Sequence, residues 1–569
     1  WSAGEYNFNS VTDFNNYNPT EFIQGFGLNG RNVFQANLLF PNYQTGVGLY
    51  WQDKWQVSPR LTVTYGMRWD GTWNPQPQTP IPGQEVWAGQ GAGSHVIPIP
   101  QRTPNDFTQW GPRIGVAWQV GGDAHPTVLR AAWGLYHAQI PTIFFPQASN
   151  GGGSVAAQLF CPVQFGCTVP QNPGFGNIPT EGGFPYLFPS SLPFGVDQLC
   201  SEPEGCPSPL YSDPSLRNPR VSNLTAGVEH SFSGGWSISA NYVFVHSWDL
   251  RTGGFSTTIW NRNFVPANGA APGSPAGEDS LGRTILATAP AGATCPAPNG
   301  GPPNPILGPS LPLDCTQFAN TALASFGHGN YNEFVAAVNK RFSNHYQFFA
   351  NYTWSRNFSN ASSERDTDSF FGPQDPFNLN LDYGRSGLDM THQFKAAFVA
   401  SLPWGFTWSN NFIAHSGLAY PAYIATDING DGVSNQGFGT NDRPAVQIGN
   451  GKPFLLPDYP GREPNYFGWD MRISKDLNFR EHYQLRFSAD LFNVSNRGNL
   501  YSDPDHSAFV DVNCTSNFPN PGNTCAPLTA LPHVGQISLQ NGGTAYRTLD
   551  ELTPGATPFA VQFGARFQF

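Results

Sequence analysis

The sequence has little charge, almost no methionine and no recognisable helix. Charged residues occupy 12% of its 569 positions, against ~25% in an ordinary soluble domain, and there are 3 methionines. No long stretch repeats apolar residues at the 3.6-residue period, which excludes a helical bundle. No apolar run approaches the ~18 residues of a membrane helix, which excludes a helical membrane protein. There is no basic stripe. Lys and Arg number 28 against 39 Asp and Glu, a net charge of −11, so nucleic acid is not expected as a partner. Twelve histidines form neither H-x-x-x-H nor H-E-x-x-H, no G-x-S-x-G turn exists, and the carboxylates are too scattered to nominate an acid–base pair. An enzyme is therefore not expected. Gly25-Phe-Gly-Leu-Asn-Gly30 matches a dinucleotide fingerprint, but no βαβ unit surrounds it and it reads as loop glycine. A secretory leader is also missing. The opening at Trp1, inside loop-like sequence, is read as a processed or truncated start.

What is present points elsewhere. Aromatic residues reach 14%, and Gly (62) and Pro (53) are abundant. The last eleven residues alternate without error: Phe559, Val561, Phe563, Ala565, Phe567 and Phe569 on one face, Ala560, Gln562, Gly564, Arg566 and Gln568 on the other. About nine to eleven residues is the length of a tilted transmembrane strand. A chain can stop on such a strand if the strand closes a barrel in lipid. Phe559, Val561, Phe563, Phe567 and Phe569 are accordingly read as the segment presented to the barrel-assembly machinery.

The same two-faced unit recurs as six hairpins. The strands are expected at 45–56 and 61–70, 108–119 and 127–138, 220–231 and 236–247, 331–342 and 346–357, 388–402 and 406–417, and 466–478 and 483–494, with 559–569 as the thirteenth. Val47, Leu49, Trp51 and Trp55 share the apolar face of the first, where both tryptophans suit an interfacial aromatic girdle. The connections alternate strictly between short and long, as periplasmic turns and extracellular loops do in outer-membrane barrels. The expected fold is thus an all-β, antiparallel transmembrane β-barrel in the bacterial outer membrane, with lipid against its outer face. Thirteen is odd and bacterial barrels have even strand numbers, so strands are either missed here or supplied by a larger barrel.

The eight cysteines fall in close pairs: Cys161 with Cys167, Cys200 with Cys206, Cys295 with Cys315, and Cys514 with Cys525. All lie in long connections, and none has zinc spacing. They are read as local disulfides formed in an oxidising compartment, with other pairings such as Cys167 with Cys200 still open. Asp427, Asn429 and Asp431, followed by Gly432, have the early spacing of a calcium loop, but Phe438 stands where an EF-hand has Glu. Either the loop holds a weakly bound Ca²⁺ or it is an Asx-rich turn. Arg68, Arg113, Arg130, Arg472, Arg486 and Arg566, with Asp70, Asp470 and Asp490, fall on the expected lumen face. They either line a solute path or, as we expect, pair with one another or with a plug.

Several stretches resemble a known family. Tyr50-Trp-Gln-Asp-Lys-Trp-Gln-Val-Ser-Pro-Arg-Leu-Thr-Val-Thr-Tyr-Gly-Met-Arg-Trp-Asp70, Gly111-Pro-Arg-Ile-Gly-Val-Ala-Trp118, Tyr346-Gln-Phe-Phe-Ala-Asn-Tyr-Thr-Trp-Ser355, Gln374-Asp-Pro-Phe-Asn378 with Tyr383-Gly384, Asp389-Met-Thr-His-Gln-Phe394 and Leu485-Arg-Phe-Ser-Ala-Asp-Leu-Phe-Asn493 are similar, in order and spacing, to the barrel of Oar-like TonB-dependent receptors. The resemblance implies a barrel of about 22 strands with a plugged lumen, of which residues 1–569 would be the C-terminal portion. It also implies a plug and a TonB-contacting segment, neither found in this sequence, and uptake of a solute bound at the extracellular loops. A structural or adhesive surface protein without active transport is the alternative.

Overall fold

A computed structural model describes residues 43–77, 101–145, 210–251, 319–361, 379–420, 464–479, 483–499 and 558–568, with shorter stretches before and between them. Thirteen strands run in chain order: β1 (Thr45–Ser58), β2 (Leu61–Trp73), β3 (Asp106–Val120), β4 (Thr127–His137), β5 (Arg220–Ser231), β6 (Trp236–Leu250), β7 (Gly327–Ser343), β8 (Tyr346–Ser359), β9 (His392–Leu402), β10 (Phe406–His415), β11 (Tyr466–Phe479), β12 (Tyr483–Phe492) and β13 (Ala560–Gln568). Each pairs antiparallel with the next, and Gly384–Arg385 adds a short fourteenth strand beside the end of β8. The thirteen expected strands recur in the expected order. Several extend further toward the long-loop end; β7 begins at Gly327 rather than at residue 331. That extension reads Gly-His-Gly-Asn, which has no apolar alternation to detect.

The register puts the apolar residues on one face. On β5, Leu224, Ala226 and Val228 are exposed while the residues between them are half-buried, as expected for the convex and concave sides of a curved wall. The convex side carries Trp51 (59% exposed), Trp110 (56%) and Trp118 (49%) without a covering layer among the described residues. A sandwich would bury that face against a second sheet. A continuous apolar band of this kind instead marks contact with another phase, here lipid. One acid intrudes on it: Asp53 lies between Trp51 and Trp55, and Tyr65 Oη donates to its carboxylate at 3.0 Å.

The short connections span two to six residues. Asn344 and His345, the two-residue turn between β7 and β8, both have positive φ (53° and 70°), the backbone of a hairpin turn that matches strand twist. The long connections gather at the other end, where the small apolar core of Ile140, Phe144, Phe145, Leu216 and Leu323 also sits. Among the described residues no pairing joins β1 to β13, and β1 is exposed along its whole length.

One expectation is corrected. The glycine stretch that begins at Gly25 is not wholly loop, because Glu21–Gly27 is a strand, paired with Glu5–Asn7 and with Ala156–Pro162. Gly25 and Gly27 therefore lie in a strand rather than a loop. Their flanks, Phe22, Ile23 and Phe26, alternate too briefly to signal one.

Candidate functional site

Two regions can meet a solute: the concave, lumenal face of the sheet and the long-loop end above it. On the concave face the charged residues pair. Arg68 grips Asp70 with two hydrogen bonds of 2.7 Å, and Arg486 grips Asp476 at 2.6 and 2.7 Å. Arg472 pairs with Asp490, and Arg130 with Glu229 at 3.0 Å. Asp470 accepts the Asn493 amide at 2.9 Å. Glu229 and Asp476 complete pairs for which sequence reasoning supplied no partner, because cross-strand register decides who faces whom. These pairs are open to solvent, and each contributes little stability. They neutralise the wall locally.

Two arginines behave differently. Arg113 lies with its guanidinium carbon 4.6 Å from the centroid of the Tyr136 ring. Arg566 on β13 stands directly opposite Arg486. Neither has an acidic partner among the described residues.

The long-loop end is knitted by buried polar groups that sequence reasoning missed. Asp106, at the start of β3, accepts the Asn218 amide at 3.0 Å and the Thr108 amide at 2.9 Å. Asn218 donates to Thr72 Oγ1 at 3.1 Å and accepts the Ile140 amide at 3.2 Å. Gln109 donates to the same threonine at 2.9 Å. Asp106, Asn218, Thr72 and Gln109 are at most 3% exposed. Beside them Leu210–Ser212 pairs in parallel with Ala319–Leu323, joining the connection before β5 to the one before β7. The Tyr211 side chain is fully buried there, and burial with nearby Asp213 pushes its pKa above the usual tyrosine value. Asp249 pairs with Arg220 at 2.9 Å, yet burial outweighs that partner and raises its carboxyl. Thr72, Asp106 and Gln109 lie at strand ends and Asn218 in a connection, where no periodic signal marks a buried polar contact, so the roof is visible only in the fold.

A second clasp lies between β8 and β11. Asp389, 1% exposed, accepts the Asn357 amide at 2.7 Å and pairs with Arg462 and Arg385. Burial, and then the neighbouring Arg462, lower the Arg385 pKa. Asp389 belongs to a stretch singled out by family resemblance, and its role in the structure is to bind two loop roots together.

The remaining sequence candidates fall elsewhere. Asp427, Asn429 and Asp431 lie outside the described residues, as does Phe569. The same holds for the side chains of Cys161, Cys167, Cys200, Cys206, Cys295, Cys315, Cys514 and Cys525, so the four expected disulfides stay expectations. Phe559 is held at its amide by Asn496 Oδ1 at 3.1 Å, and Phe563 is 79% exposed. Val561 and Phe567 are exposed on the same face of β13. Among the described residues no group of three or more His, Cys, Asp or Glu is placed to hold a metal, and no helix is long and apolar enough to cross a membrane.

The chain is similar to known proteins. A family model described as an outer membrane beta barrel domain matches residues 2–549. The TonB-dependent transporter Oar of Myxococcus xanthus is 25% identical over 261 residues, which cover 42% of this chain and 22% of that protein. The chain thus spans about a fifth of that relative's length. Among solved structures, the ferripyoverdine receptor of Pseudomonas aeruginosa is 9% identical with a TM-score of 0.34, covering 84% of this chain and 36% of that one. The siderophore receptor PiuA of Acinetobacter baumannii is 9% identical with a TM-score of 0.35, covering 84% and 40%.

Proposed function

Because this chain belongs to the outer-membrane β-barrel family, we propose that it forms much of the wall of a TonB-dependent receptor of the Gram-negative outer membrane. The observation that carries the reading is the two-faced sheet. Among the described residues its convex side is an uncovered apolar band, and its concave side is polar and ion-paired. A wall between lipid and a water-filled lumen requires that division. In the whole protein the wall would surround a plug, a solute would bind at the long-loop end, and TonB would drive its passage through segments outside this chain. The aromatic strand β13 would be the part handled during barrel assembly. The roof over β2 to β7 supports this reading, because it gives the extracellular end a fixed shape against which a solute can be recognised. Disulfides joining Cys161 to Cys167, Cys200 to Cys206, Cys295 to Cys315 and Cys514 to Cys525 would stiffen the long connections further, and a Ca²⁺ held by Asp427, Asn429 and Asp431 would do the same for the one before β11.

Intact-mass analysis of the native protein in the outer-membrane fraction tests the proposal. A mass well above the 62.0 kDa of this chain is expected, with room for a plug and further strands. A mass near that value would leave a wall of thirteen long strands without a plug. The protein would then be a pore or surface scaffold, and TonB-driven uptake would be abandoned.

A further inference from the structure

The concave face has a hollow, formed where side chains are missing. Gly66 on β2 and Gly115 on β3 lie on its floor, and Tyr50, Arg68, Arg113 and Tyr136 rise around it, enclosing a concavity of about 390 Å³. The register makes these residues neighbours: Tyr50 faces Arg68, Gly66 faces Arg113, and Arg113 faces Gly134. Gly134 allows the arrangement. A methyl group there would stand 3.1 Å from both Arg113 Cγ and Tyr136 Oη, so a larger residue would push the tyrosine and the arginine away by a few tenths of an ångström.

The charge of this hollow is unbalanced. Arg68 is engaged by Asp70, so its two best donors are committed. Arg113 has its guanidinium carbon over the Tyr136 ring and has no carboxylate partner among the described residues. Lys54, in register with Thr64 at the edge of the hollow, lies on the same face of β1. A planar guanidinium can present paired donors to a carboxylate, and the rings of Tyr136 and Tyr50 offer apolar surface to whatever bears it. The volume suits a small molecule rather than a single ion.

We propose that this hollow is a lumenal binding site for a small organic carboxylate, with Arg113 as its anion-binding residue and Tyr136 and Tyr50 as its aromatic walls. The inference rests on the reading of the concave face as the lumenal wall of a transport barrel. The site would hold an anionic solute between the extracellular loops and the periplasm.

The test is binding of phthalate and benzoate to the full-length protein purified from outer membranes, by calorimetry at low ionic strength. Saturable binding is expected. Arg113→Gln should weaken it by about tenfold or more, the usual loss when a charged hydrogen bond is removed. Gly115→Leu supplies a second variant, because a Cβ at Gly115 meets Ala132 Cβ at an ordinary 3.7 Å. It should fill the hollow without disturbing the backbone, and abolish binding while the protein still runs as a heat-modifiable barrel. Absence of saturable binding to the wild type overturns the proposal, as does binding unchanged in both variants. If both variants lower the unfolding temperature and no ligand binds, a carboxylate of the protein itself fills the hollow, and the proposal also fails. The intact-mass result is independent of these measurements, so failure of the transport reading and failure of the site can be told apart.

Discussion

Arg462 donates through Nη1 to the backbone carbonyl of Asp389 at 3.0 Å and through Nη2 to its carboxylate, spanning 73 residues of sequence. The same guanidinium also donates to the Gly417 carbonyl at 2.9 Å and to Thr391 Oγ1 at 2.5 Å. A side chain so placed fixes the roots of two long loops to each other. Arg462→Leu leaves the buried Asp389 carboxylate with Arg385, at 3.4 Å, as its remaining cation, and should cost about 1–3 kcal/mol locally, the loss of charged hydrogen bonds. Hydrogen exchange of the amides around Asn357 and Asp389 should accelerate accordingly. Replacing both partners, Asp389→Leu with Arg462→Leu, should recover part of that loss, since the buried carboxylate is gone and only the partly exposed Arg385 loses its partner. Equal exchange in the wild type and the single variant would show that the clasp holds nothing.

Asn218 satisfies three buried groups at once: Thr72, Asp106 and the Ile140 amide. Asn218→Ala keeps the bond to Asp106, which comes from the backbone, and loses the other two. A loss of about 1–3 kcal/mol is expected, read as faster proteolysis of the connection before β5 in intact cells. Asn218→Asp should be worse, because it sets a second carboxylate beside Asp106.

Ala226 and Thr225 are sequence neighbours on opposite faces of β5. Ala226→Arg puts a cation against the hydrocarbon near mid-membrane, at a cost of about 2–4 kcal/mol. Thr225→Arg points into the lumen and should be nearly neutral. Unfolding from lipid vesicles in denaturant distinguishes them; similar losses for both would contradict the assignment of faces.

His328, second residue of β7, sits in the extension at the long-loop end, beyond the part of the strand that crosses the membrane. It stacks on Tyr383 with ring centroids 5.1 Å apart. Burial, and then the nearby His246, hold its pKa below the ordinary histidine value. The folded protein therefore resists a proton that the unfolded chain accepts. The contribution of this contact is full above about pH 6.5 and is lost as pH falls from there through the depressed value. Exchange at the start of β7 should speed up as pH is lowered from neutral into the acid range. His328→Phe keeps the stacked ring without the titration and should reduce that dependence.

The wall was legible in the sequence because lipid on one side and water on the other impose a two-residue period on each crossing strand. Trp118 and Gln119, or Phe487 and Ser488, announce their faces by chemistry alone. Charge pairing was legible only in kind. That the lumenal arginines would find partners could be expected, but Glu229 for Arg130 depends on the register between β4 and β5. The roof was not legible at all. Thr72, Gln109 and Asn218 are ordinary loop and strand residues until three distant segments meet, and the Asp389–Arg462 clasp depends in the same way on long-range closure.

The turn at Asn344 and His345 has a consequence for how such a protein changes. The register already shifts once beside the turn, between Lys340 and Ser343, and with both turn residues held at positive φ a further inserted residue would shift β8 by one position against β7. Phe348, Ala350, Tyr352 and Trp354 would then turn from lipid into the lumen, and their polar neighbours would turn outward. Any insertion there would have to come as a matched pair of strand residues or leave the hairpin unable to enter the membrane. Length can be gained freely only at the opposite end. Evolution of new specificities is thereby confined to the side of the wall that faces the outside world.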